Sequence, residues 1–309
     1  MVIYVWMNTT KYTGGDKMGL LEKFFGKRKK RVKESEKVIE DSQPAISLIF
    51  NELPIIDSEV VGKRIEEIES LKGSVHITLD KELNDGENIL SVIEFDDHKI
   101  KLVGFNGPLP SNTINHTVNC SYWKPDEKEV MRNHKAHIIC YYHGKNSDPI
   151  EKYIALYKVA YAFMENGLIG LINEDAWTCN LAYVIDDLMN EGMLEECRNV
   201  PPLLLWTNLV KMPTESGTWM FTKGNHIFGV NDFAYKGDMS KASEVNEIFN
   251  NIFYYIYENK VNVEVGHTLQ IKEDVYLKFE KVTEEKEYIE GPLGTLVIER
   301  INPNDINSY

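Results

Sequence analysis

Apolar and polar positions along this chain follow two periods, and the switches between them mark its elements. Ala45–Phe50 is a short apolar run between Pro44 and Asn51, which predicts a strand. Asp57 or Ser58 then caps a helix whose inward stripe is Val61, Ile65, Ile68 and Leu71, ended by Gly73. Val75–Leu79 alternates with period two. Ile89–Phe95 and Lys99–Phe105 follow, joined by the turn Asp96-Asp97-His98, as in an antiparallel meander. Gly107-Pro-Leu-Pro110 breaks the pattern, and a short helix is expected over Asn112–Tyr122. Ala136–Tyr142 predicts a strand.

Asp148-Pro-Ile-Glu151 is a complete helix start. Asp148 caps, Pro149 suits the first turn, and Glu151 is placed to reach back to the cap amide. The inward positions are Ile150, Ile154, Tyr157, Tyr161 and Met164, and Asn166-Gly167 stops the helix. Leu168–Ile172 predicts a buried strand and Leu181–Asn190 a helix closed by Gly192. Pro201-Pro202 marks an internal boundary. Strands are then expected at Leu203–Val210, Thr218–Thr222 and Ile227–Phe233. A long helix is expected over Ser240–Asn259, with Val245, Ile248, Phe249, Ile252 and Ile256 inward. Strands near Thr268–Ile271, Val275–Val282 and Thr295–Ile301 finish the chain.

Strands paired by short turns, with helices between the groups, predict an α+β fold of mostly antiparallel or mixed sheets with helices packed on one face. The halves are of similar size, so two lobes are an open arrangement. The expected organisation is a leader over 1–44, an α+β lobe over 45–200 and a second over 201–309.

Composition sharpens the picture in three ways. Hydrophobic residues make up 43% of 309, enough for a full core, with no membrane-length apolar run and no secretory signal, so a cytoplasmic protein is expected. Cys120, Cys140, Cys179 and Cys197 form no C-x-x-C pair and read as buried small hydrophobes. The net charge of −14 hides a leader of +4, which leaves −18 on the remainder. Such a body repels nucleic acid, and it suits solubility or a basic protein partner. Lys outnumbers Arg by 28 to 6 and Ile, Asn and Tyr abound, an AT-rich codon usage that points to a bacterial source.

The chain shows no phosphate loop, G-x-G-x-x-G, H-E-x-x-H or G-x-S-x-G. Its densest polar cluster is Asn133-His134-Lys135-Ala136-His137. On a strand, His137 and His143 stand about 20 Å apart and cannot share a metal. His134 and His137 reach one ion only if the chain turns between them, and neither has an evident carboxylate or thiolate partner. No metal or cofactor is therefore expected, and the favoured role for these histidines is capping the strand by backbone hydrogen bonds. Trp123 and Trp177 sit in loops beside proline or acid, where Trp serves either as a binding anchor or as a lid over the core. The candidate binding residues are thus Trp123, His134, His137 and Trp177, with no catalytic residue assigned.

Trp123-x-Pro125, Asn133–His137, Asp148-Pro149, Trp206, Thr222-Lys223-Gly224, Phe228-Gly229 and Gly266-His267-Thr268 occur in an order that resembles a bacterial family known only as domain of unknown function 4261. The resemblance spans most of residues 45–300. It implies an α+β body, no established activity and no catalytic residues.

The leading functional expectation is a non-enzymatic binding or accessory protein, of the immunity or regulatory kind. The alternatives are an enzyme with a site near His134 and His137, and weak membrane attachment through residues 18–31. In that segment Leu20, Leu21, Phe24 and Phe25 share a helical face beside the basic run Lys27–Arg31. Gly14-Gly-Asp-Lys-Met18 back-translates, in AT-leaning codons, to a ribosome-binding sequence roughly seven nucleotides before an AUG, so residues 1–17 read as untranslated leader. The start Met18-Gly-Leu-Leu-Glu-Lys-Phe-Phe-Gly26 is also similar to starts in the family. The N-terminus of protein made from its native gene is expected, by mass spectrometry, at Met18 or Gly19, and peptides from residues 1–17 would refute this.

Overall fold

The computed structural model describes residues 43–68, 71–199, 205–272 and 275–302. The leader's basic amphipathic segment and the Pro201-Pro202 boundary lie outside them. Two sheets organise the chain. The first is built from β1 (Ala45–Phe50), β2 (His76–Leu79), β3 (Asn88–Phe95), β4 (His98–Phe105), β5 (Ala136–Tyr142), β6 (Leu168–Asn173) and β7 (Thr178–Leu181). Its order is β2-β3-β4-β5-β1-β6-β7, antiparallel throughout. The second contains β8 (Asn208–Thr214), β9 (Gly217–Lys223), β10 (Asp232–Gly237), β11 (Thr268–Lys272), β12 (Val275–Lys281) and β13 (Thr295–Ile301), in the order β11-β12-β13-β10-β9-β8. Only β10 and β13 run parallel within it. The fold is α+β.

Eight α-helices accompany the sheets among the described residues: α1 (Ser58–Glu66), α2 (Ser111–Cys120), α3 (Pro125–Arg132), α4 (Pro149–Ala162), α5 (Ala182–Asn190), α6 (Met193–Glu196), α7 (Ala242–Asn259) and α8 (Lys286–Ile289). None is long and apolar enough to cross a membrane. Helix α4 is the centre of the molecule. Eleven of its fourteen residues are buried, so it is wrapped on all sides rather than along one stripe. One flank packs under the first sheet, on Ile46, Leu48, Ile138 and Cys140, and beside α1 and α5. From the other flank Tyr153 stacks on Trp206, with ring centres 5.2 Å apart and planes 9° from parallel, and Tyr157 meets the same indole edge-on at 6.0 Å. Phe228, Phe253 and Tyr257 extend the aromatic stack to α7. Helix α7 in turn lays Val245, Phe249, Ile252, Phe253 and Ile256 into the same hydrophobic cluster as Leu277, Phe279 and Ile298 of the second sheet. Each large buried ring removes roughly 150–250 Å² from water, an upper bound of about 4–6 kcal/mol.

The two faces of the first sheet are treated differently. Its inner face, including Ile93, Leu102 and Tyr142, belongs to the shared core. On the opposite face, α2 and α3 cover the β1-β6-β7 end through Ile49, Ile114, Val118, Met131, Ile172 and Leu181. No described element covers that face over β2 to β5.

Several elements depart from the periodic reading for definite reasons. Helix α3 was not expected, because Met131 is its one buried residue and a stripe never forms. Its start is nonetheless chemically complete: Pro125 opens the first turn and Glu127 Oε2 accepts from Lys124 N at 3.0 Å. Asp148 caps α4 as expected, accepting from Ile150 N at 2.9 Å, but Glu151 does not reach back. Asn146 Oδ1 takes the Asp148 amide instead, and Glu151 binds Arg198. Ile227–Phe233 is not one strand. Gly224 and Gly229, at φ of 98° and 71°, bracket a tight 3-10 turn over Asn225–Phe228, and β10 begins only at Asp232. β8 starts at Asn208, later than expected, and tolerates Pro213 because it is an edge strand. β7 was also unread, its four residues too few to show a period.

Ile252 is 1% exposed at the centre of the α7 stripe. Ile252→Asp is expected to abolish cooperative folding, because an unpaired carboxylate there costs several kcal/mol, a large part of a domain's stability. Asn251→Asp, one position earlier and exposed, should leave the melting temperature nearly unchanged. Circular-dichroism melts of both variants check the assignment.

Candidate functional site

His134 and His137 bind the same segment, Gly107–Leu109, one from the loop after α3 and the other from β5. His134 follows α3, and its Nδ1–H donates to Met131 O at 2.7 Å while Nε2 accepts from Leu109 N at 2.8 Å. That pattern requires a neutral ring, and burial lowers its pKa accordingly. His137, on β5, donates through Nδ1 to Gly107 O at 2.7 Å and packs on Phe105. The pair therefore staples Gly107–Leu109 across the sheet, where the Gly-Pro-Leu-Pro break leaves backbone groups that need partners. Both nitrogens of His134 are engaged, and no group of three or more His, Cys, Asp or Glu among the described residues is arranged to hold a metal ion.

Trp123 is half-buried. It donates Nε1–H to Cys179 O at 2.7 Å, meets Tyr183 edge-on and closes the small core under α2 and α3. Trp177 lies elsewhere, in the β6–β7 turn, with a left-handed backbone at φ 53°. Its ring is gripped by His116 at 4.1 Å, by Phe221 at 6.2 Å and by the Lys223 ammonium at 4.7 Å. Its carbonyl accepts from Asn208 Nδ2 at 2.8 Å. Trp177 thus joins the first sheet to the second.

Lys223 opens a buried polar cluster noticed in the sequence only as part of a motif. Its ammonium donates to Ile289 O at 3.1 Å and Glu290 O at 2.8 Å, and burial lowers its pKa. Nearby, Asp232 is 1% exposed. Its Oδ1 accepts from Thr222 Oγ1 at 3.1 Å and Asn225 N at 3.3 Å, while Oδ2 has no hydrogen-bond donor among the described residues. That oxygen lies against Gly291, where an added Cβ would fall 2.2 Å away. Desolvation pushes the Asp232 carboxyl up to about 7, against the pull of Lys223 and the two hydrogen bonds. Gly224 is equally constrained, since a Cβ there would meet Ala176 Cβ at 2.7 Å and Trp206 O at 2.9 Å.

A polar cleft of about 360 Å³ lies at the far end of β3 and β4, lined by Lys72, Asp96, Asp97, His98, Asn146, Glu151, Lys158 and Arg198. The sequence marked Asp96-Asp97-His98 only as a turn. His98 Nδ1 is hydrogen-bonded to Tyr142 Oη at 2.9 Å, and its Nε2 stands 3.4 Å from Asp97 Oδ1. Two of the cleft's cations are paired: Lys158 with Glu195 at 2.9 Å, and Arg198 with Glu151 and Glu195. Its charges hold α4 and α6 together.

The third feature is the uncovered face of β2 to β5. Strand register places Leu90, Val103 and Ile139 side by side, then Val92, Lys101 and Tyr141, with Phe105 beside His137. Phe105 is 43% and Tyr141 45% exposed, and Leu90, Val92, Val103 and Ile139 are half-buried.

Together these features define an α+β protein of two sheets on one aromatic core, with a sealed Lys–Asp cluster and an open apolar sheet face. Within that class, residues 221–299 match the family model described as Domain of unknown function (DUF4261). The match runs from β9 to β13. It contains Thr222-Lys223-Gly224, Asp232, Gly291 and Gly266-His267-Thr268, whereas Trp123, His134, His137, Trp177 and Trp206 stand outside it. The family resemblance expected over most of residues 45–300 is thus found in the second sheet. No curated protein and no solved structure matches the chain.

Asp232 predicts a pH dependence. A carboxyl raised in the folded state contributes its full stability below its unfolded value near 4 and loses it as pH rises through about 7. The protein should therefore lose part of its stability, up to a few kcal/mol, between pH 5 and 8. Asp232→Asn, which cannot ionise, should remove that slope. Urea midpoints measured across this range check it, and equal slopes for the two proteins would exclude Asp232 as the cause.

Proposed function

We propose that this chain is a non-enzymatic binding protein of the accessory or regulatory kind, which meets another protein through the open face of β2 to β5. The observation that carries the reading is that face itself: six apolar side chains, contiguous by register, lie on a sheet whose other face and far end are both covered. Contiguous apolar surface of this kind marks interaction sites in soluble proteins. In this reading the anchors are Phe105 and Tyr141 rather than Trp123 and Trp177, whose rings are already packed. His134 and His137 support the surface by fixing the loop beside Phe105.

A photo-crosslinking residue at Phe105, in protein expressed in its native cells, should give an adduct with one protein species. The same residue at Tyr288, 44% exposed on α8, should give none. Phe105→Ser with Tyr141→Ser should weaken co-purification of that species by roughly thirtyfold, as expected for interface anchors. Equal crosslinking from both positions, or co-purification that the double variant leaves intact, would overturn the reading.

A further inference from the structure

The charges that frame the open face indicate what covers it. The chain as a whole carries −14, and its mean charge alone favours a basic partner. The face reverses that sign. At one end of its apolar band stand Lys99 and Lys101, with Lys101 directly between Val92 and Tyr141 in the register. Beyond the other end is Lys135, exposed and one residue before β5, in phase with His137. The acids at this face are already engaged: Glu94 pairs with Lys99 at 2.9 Å, and Asp80, one residue after β2, accepts from Glu82 N at 3.0 Å and Leu83 N at 3.3 Å. Lys101 and Lys135 form no ion pair within the described residues. Between Lys135 and Tyr141 the strand advances about 20 Å.

We propose that the open face receives an acidic segment of another protein, one that lays an apolar stripe across Val103, Ile139, Phe105 and Tyr141 and sets carboxylates against Lys101 and Lys135. The proposal rests on the open face being the binding surface. Cation and apolar surface together are also the chemistry of an anionic bilayer, but two observations favour a protein. Four of the six apolar side chains lie half-buried between their neighbours, whereas interfacial anchoring sinks an apolar face roughly 5–10 Å into lipid. The body beyond residue 44, at −18, is also repelled by an anionic membrane. Within a Debye length of about 8 Å the local lysines outweigh the distant acids, so a docked segment experiences the face rather than the mean field.

The test uses the full chain and two fluorescent synthetic helical peptides. Both carry Leu and Phe on one side, with Glu on the other side in the first and Lys in the second. Fluorescence anisotropy should show the Glu peptide binding at least about tenfold more tightly than its Lys counterpart. Lys101→Glu with Lys135→Glu, both exposed and expected to fold normally by circular dichroism, should cost the Glu peptide about tenfold or more. If the Lys peptide binds equally well and the lysine variant changes nothing, while Phe105→Ser with Tyr141→Ser abolishes binding, the acidic partner is wrong and the binding face stands. If neither variant affects either peptide, both fail. Binding to phosphatidylglycerol vesicles that the lysine variant abolishes, with no peptide binding, would assign the face to lipid and overturn the proposal.

Discussion

The structure depends on helix α4 and the indole of Trp206 that it holds. A helix buried on every side has no solvent face on which to place its polar atoms, and α4 solves this in two ways. Its tyrosine hydroxyls accept from Asn173 Nδ2 at 3.2 Å and Asn180 Nδ2 at 3.1 Å, which ties the helix to β6 and β7. Its buried lysines also have partners at their tips, Lys158 the Glu195 carboxylate and Lys152 the face of the Tyr142 ring. Unpaired, either ammonium would cost several kcal/mol, and the aromatic stack could not form. The two sheets therefore share one core.

The same constraint explains why the most chemically suggestive groups serve the fold. Lys223 and Asp232 have protonation equilibria displaced by burial in opposite senses, a pattern often seen in catalytic pairs. Here the ammonium is held by two carbonyls and two aromatic rings, and the carboxyl is pressed against Gly291. These contacts lock β9 and β10 onto the segment leading into β13. The glycines of the matched family stretch mark the same lock, because at Gly224 and Gly291 a Cβ would collide with its neighbours. The proposed partner surface is built instead from side chains with no unusual chemistry, on a face that no described element covers.

Much of the fold was legible in the sequence because it was carried by local periods. The Asp148-Pro149 start, the α7 stripe and the β3–β4 meander are each specified by neighbours a few residues apart, and each stands where the pattern placed it. Elements with too few buried positions to show a period, such as α3 with its single Met131 and the four-residue β7, were not legible. The role of His134 as a backbone partner was legible from its missing co-ligands. The roles of Trp177 and His98 were not, because Lys223 and Tyr142, which define them, are 46 and 44 residues away along the chain.

The sequence by itself determined the class of fold, the absence of familiar catalytic motifs and the acidic character of the whole. Only the tertiary structure decided which strand faces are covered. Alternation states that a strand has two sides, but the side that meets a helix depends on where α2, α3 and α4 come to rest. In β3 to β5 both sides carry apolar residues, so the pattern is silent on the choice. The local reversal of charge has the same origin. Lys101 and Lys135 are unremarkable among twenty-eight lysines until strand pairing sets them around one apolar band, because net charge adds over the chain whereas recognition adds over a surface.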